Sequence, residues 1–367
     1  MTRPHLVAGD RLVVKIGTAS LVGGDGDPDE ERLATIADGI AHARAAGIEV
    51  VLVSSGAIAA GLRPLGLDHR PSDIPSLQAA AAVGQGRLLQ RYSSLLADRG
   101  LVCAQMLLTQ HDFMHRQQYL NARNTLDRLL ALGAVPVVNE NDTVATDEIR
   151  FGDNDRLAAL VANLGRARLL ALLTDTRGLH AEDPRRNPNA PVIEEVDRIT
   201  PELERMAGGR GSDVSTGGMA SKLAAAWVAT FSGVGVVVAS AEVSLDRLIA
   251  GDVVGTYFHP HPIRASARRL WIAFAQPPQG TVVVDAGARR AMVHDNRSLL
   301  AVGVTRVEGE FASGATVDVM ERDSREVFAR GLVRYDAQDL AAARGKPTVE
   351  LAGREVIHRD QLVILES

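Results

Sequence analysis

Two of the lysines in this chain lie in glycine-rich segments, a combination that favours chemistry on phosphate groups. Among 40 lysine and arginine residues, only Lys15, Lys222 and Lys346 are lysine. A lysine carries a compact charge on a slim stem, so it can point at one phosphate oxygen where the planar guanidinium of arginine is too large. Lys15 precedes Gly17, and Lys222 follows the glycine pair at 217–218. Chance retention of a few lysines is the alternative interpretation.

Two clusters of acid and amide side chains follow the apolar run Val135–Val138, which predicts a short buried strand. The first cluster is Asn139–Asp142, and the second is Gly152–Asp155. Ligands of open α/β sheets bind beyond the carboxyl ends of the strands, so the two clusters predict the walls of a site for a polar ligand. A pair of ordinary Asx turns is the alternative, because Asn, Asp and Gly are common turn residues.

Three further segments could bind an anion. Ser54–Gly61 follows the predicted strand Glu49–Val53 and leads into a helix, although close packing of small residues would explain the same composition. Thr174 and Asp175 end another predicted strand. The helix predicted over Met219–Phe231 begins directly after glycine and serine residues, as in an anion site, with a flexible linker as the alternative.

Length and composition predict a cytoplasmic protein of two domains. A chain of 367 residues exceeds the size at which a single core stops growing. The net charge of −5 argues against general binding of polyanions. The single cysteine, Cys103, excludes a disulfide framework and is predicted to be a small buried hydrophobic residue. No apolar run approaches membrane-spanning length, so no membrane partner is expected.

Strand and helix patterns alternate from residue 11 to about residue 250, which predicts a mainly parallel sheet with helices on both faces. Short β-like runs dominate from Gly280 onward and predict a small β-rich domain. These runs are Thr281–Val284, Gly303–Val307, Thr316–Val319, Val327–Val333 and Leu362–Leu365. The predicted division is an α/β domain at 1–258, a linker at 259–279 and the β-rich domain at 280–367.

Together these features favour phosphoryl transfer. That reaction depends on positioning and on cations, Mg²⁺ among them, that meet the charge of the phosphoryl oxygens. The GxxxxGK spacing of a Walker loop is absent, and no GxGxxG opens a helix after a strand. No Ser/His/Asp arrangement and no zinc-ligand spacing competes with this interpretation.

The motifs closely resemble those of the glutamate 5-kinases, a branch of the amino acid kinase family, along essentially the whole chain. The motifs that carry the resemblance are Val14–Thr18, Ser54–Ile58, Asn139–Asp142, Gly152–Asp155 and Thr216–Met219. The resemblance implies the amino acid kinase fold, followed at 280–367 by a PUA-like barrel domain. It further implies phosphorylation by ATP of the γ-carboxylate of L-glutamate, the first step of proline biosynthesis.

The resemblance also implies a role for each site residue. Lys15 and Lys222 would hold the transferring phosphoryl group from opposite sides, and Asp155 would orient them. Glutamate would be bound by Ser55, Asp142 and Asn154, with Asn139 and Asp153 nearby. ATP would be bound by Lys15, Gly17, Thr174, Asp175, Thr216, Gly217, Gly218, Met219, Ala220, Ser221 and Lys222. Mg²⁺ would accompany ATP, with no protein ligand assigned to it. A γ-carboxylate with a pKa of about 4.3 is already ionised at neutral pH, so no general base is required.

The resemblance implies feedback inhibition by proline, a homo-oligomer (dimer or tetramer) and a hand-off of product to glutamate-5-phosphate reductase. A kinase of acetylglutamate, aspartate, carbamate or uridylate would share the sheet, but the paired acid-amide clusters and the PUA-like tail argue against it. RNA binding, a non-catalytic alternative, is disfavoured because residues 280–367 hold 12 Lys+Arg against 14 Asp+Glu.

Overall fold

The computed structural model of the chain describes residues 3–18, 21, 29–144, 154–184, 187, 189–200, 203, 206, 218–261, 278–346 and 355–365. The chain forms two units, residues 1–262 and 263–367. The finer predicted bounds, with a linker at 259–279, stay a prediction.

An eight-stranded sheet forms the centre of the first unit. Its strands are β1 (Arg11–Ile16), β2 (Glu49–Val53), β3 (Cys103–Leu108), β4 (Val135–Glu140), β5 (Leu169–Thr174), β6 (Glu195–Val196), β7 (Gly235–Ser240) and β8 (Thr256–Phe258). Their order across the sheet is β3-β4-β2-β1-β5-β7-β8-β6. The six strands from β3 to β7 in this order are mutually parallel, whereas β8 pairs antiparallel with β7. The prediction of a mainly parallel sheet is confirmed.

Helices flank this sheet. In chain order they are α1 (Glu30–Ala45), α2 (Ala57–Leu62), α3 (Ile74–Ala97), α4 (Gln110–Met114), α5 (Arg116–Ala131), α6 (Asn154–Leu164), α7 (Met219–Phe231) and α8 (Leu245–Ile249). The Ala-rich pattern predicts a helix over Ser76–Arg99, but helix α3 begins two residues earlier, at Ile74. The cause is Asp73, whose side chain accepts a hydrogen bond from the Ser76 backbone N–H and caps the helix, while Pro75 is tolerated in the first turn.

The central strands are buried on both faces, as expected for parallel strands covered by helices. All residues of β4 and β5 are buried. Strand β4 continues through Asn139 and Glu140, which were predicted to lie beyond its end. Hydrogen bonding to β3 extends this far, because Leu107 and Leu108 pair with Asn139 and Glu140. These two polar side chains are therefore strand residues and not a turn.

Helices α2 and α3 cross with their backbones in contact at two glycines. A Cβ atom on Gly61 would lie 1.8 Å from the Ala80 carbonyl oxygen, and one on Gly84 would lie 1.8 Å from the Ala57 carbonyl oxygen. Real Cβ atoms never approach backbone this closely, so only glycine fits at either position. Because α2 begins directly after the segment Ser54–Gly56, this crossing fixes where the segment lies.

We expect Gly84→Ala to destabilise the protein by about 1–3 kcal/mol, because backbone atoms meet the added methyl group and cannot rotate away. The matched control is Gly86→Ala on the same helix, where a Cβ would meet nothing within 4 Å. Alanine is the better helix former, so the control should be neutral or stabilising. Thermal unfolding should place Gly84→Ala about 2–6 °C below Gly86→Ala. Equal melting temperatures would contradict the close crossing.

The second unit is built on a five-stranded sheet with the order β10-β9-β11-β12-β13. The strands are β9 (Gly280–Val284), β10 (Val304–Gly309), β11 (Thr316–Glu321), β12 (Val327–Leu332) and β13 (Leu362–Ile364), joined by helices α9 (Ala286–Val293) and α10 (Ala337–Ala343). Only β9 and β11 pair in parallel. Asp318 on β11 and Arg330 on β12 form a buried ion pair of 2.7 Å. The prediction of five β runs in this region is confirmed.

Tyr257 and Phe258, which the sequence left open as part of a linker or of a lead-in strand, form part of strand β8. Two other local expectations are wrong. The polar composition of the loop from Asp175 to Pro191 predicts a surface-exposed segment, but Leu179 within it is buried and donates its backbone N–H to Thr256 Oγ1 on β8. Cys103 is only partly buried, and burial raises the pKa of its thiol to about 11. Within the described ranges, none of the helices has the length and hydropathy needed to span a membrane.

Candidate functional site

Lys15, Asp155 and Lys222 meet at the carboxyl ends of the central strands. Lys15 lies at the end of β1, Asp155 in the first turn of α6 and Lys222 in the first turn of α7. Lys15 Nζ lies 2.6 Å from Asp155 Oδ1, and Lys222 Nζ lies 3.2 Å from Asp155 Oδ2. The carboxylate thus uses a different oxygen for each ammonium group.

This cluster, which we call the Lys-Asp-Lys cluster, is shielded from solvent. Lys15 and Lys222 are each 4% exposed, and Asp155 is 1% exposed. Burial alone would raise the pKa of Asp155, but the ammonium groups of Lys15 and Lys222 outweigh burial and hold the pKa below its ordinary value. Ser221 adds a hydrogen bond of 3.1 Å from its hydroxyl to Asp155 Oδ2. Asp155 is therefore ionised at neutral pH.

The N-termini of helices α6 and α7 have opposite effects on the charged residues of this cluster. A helix N-terminus carries partial positive charge, which stabilises Asp155 in the first turn of α6 and disfavours Lys222 in the first turn of α7. The ion pair with Asp155 offsets that cost. Helix stability gives no reason for a lysine at this position, which points to a functional reason.

Gly17 leaves space beside Lys15. A Cβ on Gly17 would lie 3.8 Å from Lys15 Nζ, so a larger side chain there would extend over the ammonium group. Gly17 also donates its backbone N–H to the Leu173 carbonyl on β5, at 3.4 Å. The loop after β1 is thereby held close to β5.

A second group of side chains, the amide group, lies beside the cluster around Asn154, the residue before Asp155. The Asn154 Nδ2 atom donates to the Ser54 carbonyl at 3.0 Å, to Ser55 Oγ at 3.0 Å and to Asn139 Oδ1 at 3.1 Å. One side chain therefore joins the ends of β2 and β4 to the start of α6. The structure brings together the predicted residues Ser55, Asn139, Asn154 and Asp155.

The hydrogen bonds of this amide group leave two polar functions available to a ligand. Asn154 Oδ1 is buried and has no hydrogen-bond partner among the described residues. Ser55 Oγ accepts from Asn154, so the hydroxyl hydrogen of Ser55 is left to donate elsewhere. The site thus offers one acceptor and one donor close together, which suits a ligand that carries both an ammonium and a carboxylate group.

Asp142 follows β4 by two residues and adds a carboxyl group with a changed pKa. Burial raises the pKa of Asp142 to about 6, an effect that the positive charge of Arg70 reduces. A carboxylate that is costly to ionise in the empty site is stabilised when a cationic ligand group binds beside it.

The residues expected to bind a nucleotide lie on two strand and helix ends. Thr174 is buried at the end of β5, and its hydroxyl donates to the exposed Asp175 carboxylate at 2.9 Å. Gly218 precedes α7, which begins with Met219, Ala220, Ser221 and Lys222. Asp153, Thr216 and Gly217 were also expected in the site and lie outside the described residues.

Sequence reasoning missed two residues that contact the site. Gln85 on α3 accepts a hydrogen bond of 2.6 Å from Asn139 Nδ2. Tyr92, also on α3, shares a hydrogen bond of 3.1 Å with Ser54 Oγ, and burial raises the pKa of its phenol. Both residues lie in an Ala-rich helix whose pattern indicates only packing, so the sequence gave no signal for either contact.

The chain was compared with known families and proteins. Residues 10–240 match the amino acid kinase family, and residues 280–353 match the PUA domain. A glutamate 5-kinase of Geobacter sp. (strain M21) is 48% identical over 364 residues, covering 97% of both chains. A glutamate 5-kinase of Streptomyces coelicolor is 50% identical over 363 residues, covering 97% of this chain and 96% of the relative.

Among solved structures, a carbamate kinase from Giardia lamblia bound to AMP-PNP aligns with a TM-score of 0.51 at 18% identity. The alignment covers 69% of this chain and 99% of the carbamate kinase, and this likeness concerns the fold alone. The family match and the full-length relatives agree with each other and with the sheet described above. The chain belongs to the amino acid kinase family, and within it to the glutamate 5-kinases that carry a C-terminal PUA domain.

Proposed function

We propose that this protein transfers the γ-phosphoryl group of ATP to the γ-carboxylate of L-glutamate, forming γ-glutamyl phosphate for proline biosynthesis. The observation that carries the proposal is the buried Lys-Asp-Lys cluster directly beside the amide group around Asn154. The cluster suits a phosphoryl group and the amide group suits an amino acid. The name shared by the full-length relatives supports the same acceptor.

In the proposed reaction a γ-carboxylate oxygen attacks the γ-phosphorus of ATP. A new P–O bond forms to glutamate, the bond from the γ-phosphorus to the bridging oxygen breaks, and the electron pair leaves on ADP. Lys15 and Lys222 contact the non-bridging oxygens from either side and stabilise the charge on them. Asp155 contributes by fixing the separation of the two ammonium groups, since each is bound to its own carboxylate oxygen. No proton has to move, because the attacking carboxylate is already ionised.

Glutamate is proposed to bind to the two polar groups around Asn154 that remain available to a ligand. Asn154 Oδ1 accepts a hydrogen bond from the α-ammonium of glutamate, and the Ser55 hydroxyl donates to a carboxylate oxygen. The Asp142 carboxylate pairs with the same ammonium group. In this proposal Asn139 does not contact the substrate, because its Oδ1 already accepts from Asn154 and from the Glu140 backbone N–H. Asp153 is proposed near the acceptor from the sequence alone.

ATP is proposed to lie along the ends of β1, β5 and α7. Gly17, Thr174, Asp175 and the segment from Gly218 to Lys222 line its path, with the γ-phosphate at the lysines. Thr216 and Gly217 are proposed to bind ATP from the sequence alone. We propose Mg²⁺ as its companion ion, because it neutralises adjacent phosphate oxygens and keeps most of its other ligands as water. Both carboxylate oxygens of Asp155 face ammonium groups, so its role is to orient the lysines and not to bind the metal.

The proposal also covers inhibition by proline, assembly, cellular location and delivery of the product. Proline carries the ammonium and carboxylate pair that the amide group suits, so we propose that it inhibits by competing with glutamate. A homo-oligomer, a cytoplasmic location and delivery of the acyl phosphate to a reductase belong to the proposal as well. Proline that raises the KM for glutamate without lowering kcat would support the shared site.

The direct test is a hydroxylamine trap. The full-length protein is incubated with ATP, excess Mg²⁺ and hydroxylamine, together with glutamate, aspartate or acetylglutamate in parallel. We expect γ-glutamyl hydroxamate with glutamate alone. Hydroxamate only with another acceptor would keep the phosphoryl chemistry and overturn the proposed substrate. No hydroxamate from a folded protein with any acceptor would overturn the proposed activity.

The raised pKa of Asp142 gives a pH prediction for the proposed reaction. The carboxylate is charged above its pKa of about 6 and can then pair with the α-ammonium of glutamate. Below pH 6 it is protonated, so kcat/KM for glutamate should fall about tenfold per pH unit down to pH 5. The γ-carboxylate of the substrate, with a pKa of about 4.3, stays ionised over most of this range.

The control is Asp142→Asn, which should have a lower kcat/KM that no longer changes between pH 5 and 7. A profile for this variant that keeps its inflection near pH 6 would assign the titration to another group.

A further inference from the structure

Asn139 sits between the Asn154 side chain and helix α3. Asn139 is 1% exposed and is the second-to-last residue of strand β4. Asn139 Oδ1 accepts from the Glu140 backbone N–H at 2.9 Å and from Asn154 Nδ2 at 3.1 Å. Asn139 Nδ2 donates to Gln85 Oε1 at 2.6 Å. Gln85 is therefore connected to Asn154 through one buried amide.

The direction of every hydrogen bond in this chain of amides is fixed by the backbone at its two ends. The Glu140 N–H can only donate, so the Asn139 atom facing it is the oxygen. The Ser54 carbonyl can only accept, so the Asn154 atom facing it is the nitrogen. The Asn139 nitrogen then faces Gln85, which must present an oxygen to it. This polarity commits Asn154 Nδ2 to its three acceptors and leaves Asn154 Oδ1 available to a ligand.

Loss of the acceptor on Gln85 would leave the buried Asn139 NH₂ group without this partner. A buried donor without a partner costs about 1–3 kcal/mol, which favours rotation of the amide away from its present orientation. Rotation would turn the Asn139 oxygen away from Asn154 and remove one of the three acceptors that hold Asn154 in place. The orientation of Asn154 Oδ1 would change first, whereas no side chain of the Lys-Asp-Lys cluster would lose a hydrogen bond directly.

We propose that Gln85 is a positioning residue for the acceptor substrate, acting through Asn139 on the orientation of Asn154. The inference rests on the proposed function, because the bound acceptor is taken to be glutamate. Helix α3 thus supports the acceptor site at two neighbouring residues. Gly84 allows the close contact with α2 that locates Ser55, and Gln85 orients Asn139.

The test measures KM for glutamate, KM for ATP and kcat in the full-length protein. Gln85→Met keeps the length of the side chain and removes the acceptor, so we expect KM for glutamate to rise about tenfold. KM for ATP and kcat should stay within about twofold, because ATP and the phosphoryl group do not contact the amide group. The matched control is Gln90→Met, an exposed position on the same helix, which should leave all three values unchanged.

A double-mutant cycle separates positioning from general loosening of the fold. In an Asn139→Ala background, Gln85→Met should cause no further rise in KM for glutamate, because the residue through which Gln85 acts is gone. An equal rise in both backgrounds, or an unchanged KM in Gln85→Met alone, would overturn the inference. Failure of the wild type with glutamate would instead refute the proposed function, and the cycle would then be measured with the acceptor that is turned over.

Discussion

Lys15→Arg and Lys222→Arg are each expected to lower kcat for glutamate phosphorylation by about 100- to 1,000-fold while the protein stays folded. Each ammonium group lies within 3.2 Å of a different oxygen of Asp155 in a space with at most 4% exposure. A guanidinium is planar and binds a carboxylate through two nitrogens at once. Arginine would therefore take both oxygens of Asp155 and displace the second cation from its place.

The matched control for this prediction is Lys346→Arg, the same substitution at the third lysine of the chain. Lys346 is exposed in the second unit, so arginine there should leave kcat and thermal stability unchanged. Circular dichroism and thermal unfolding of all three variants would show whether the fold is kept. Turnover close to that of the wild type in Lys15→Arg or Lys222→Arg would refute the argument that only a compact charge fits.

The order of strands and helices was largely predictable, because most of the parallel strands contain apolar runs and the longer helices have a clear period. The start of helix α3 was less predictable, because it depends on capping by the Asp73 side chain and on the presence of Pro75 in the first turn. Strand β8 could not be predicted from Thr256–Phe258 alone. Its three residues are a strand only because β7 and β6 lie on either side of it.

The site could be predicted as a set of residues but not as a set of contacts. The rarity of lysine singled out Lys15 and Lys222, and the acid-amide clusters singled out Asn154 and Asp155. Sequence could not show that Asn154 donates to residues at the ends of β2 and β4, since Ser54 and Asn154 lie 100 residues apart along the chain. Nor could it identify Gln85, whose single hydrogen bond to Asn139 joins residues 54 positions apart.

Asp155→Asn is expected to have the largest combined effect on stability and turnover. Asparagine keeps the size of the side chain but removes the negative charge that pairs with both ammonium groups. Removal of one partner from a buried ion pair typically costs about 3–5 kcal/mol, because the remaining charge stays buried. We expect a clear loss of thermal stability and a fall in kcat of at least about 100-fold, since the lysines lose their fixed separation.

Asp318→Asn gives the matched control for the fold. Asp318 is 0% exposed and pairs with Arg330 at 2.7 Å in the second unit, so the substitution also removes the acid of a buried ion pair. It should lower thermal stability and leave kcat unchanged. A similar loss of kcat in both variants would show that Asp155 supports turnover only through the stability of the fold.

The pH dependence distinguishes a charge effect at Asp155 from a change in shape. The pKa of Asp155 is lowered in the folded protein, so its contribution to stability is complete above the unfolded value of about 3.9 and is lost only as pH falls through the lower folded value. The difference in melting temperature between wild type and Asp155→Asn should therefore be constant from pH 6 to pH 8. A difference that already shrinks between pH 8 and pH 6 would mean that Asp155 binds a proton near neutrality, and the two lysines would then not be held by a permanent negative charge.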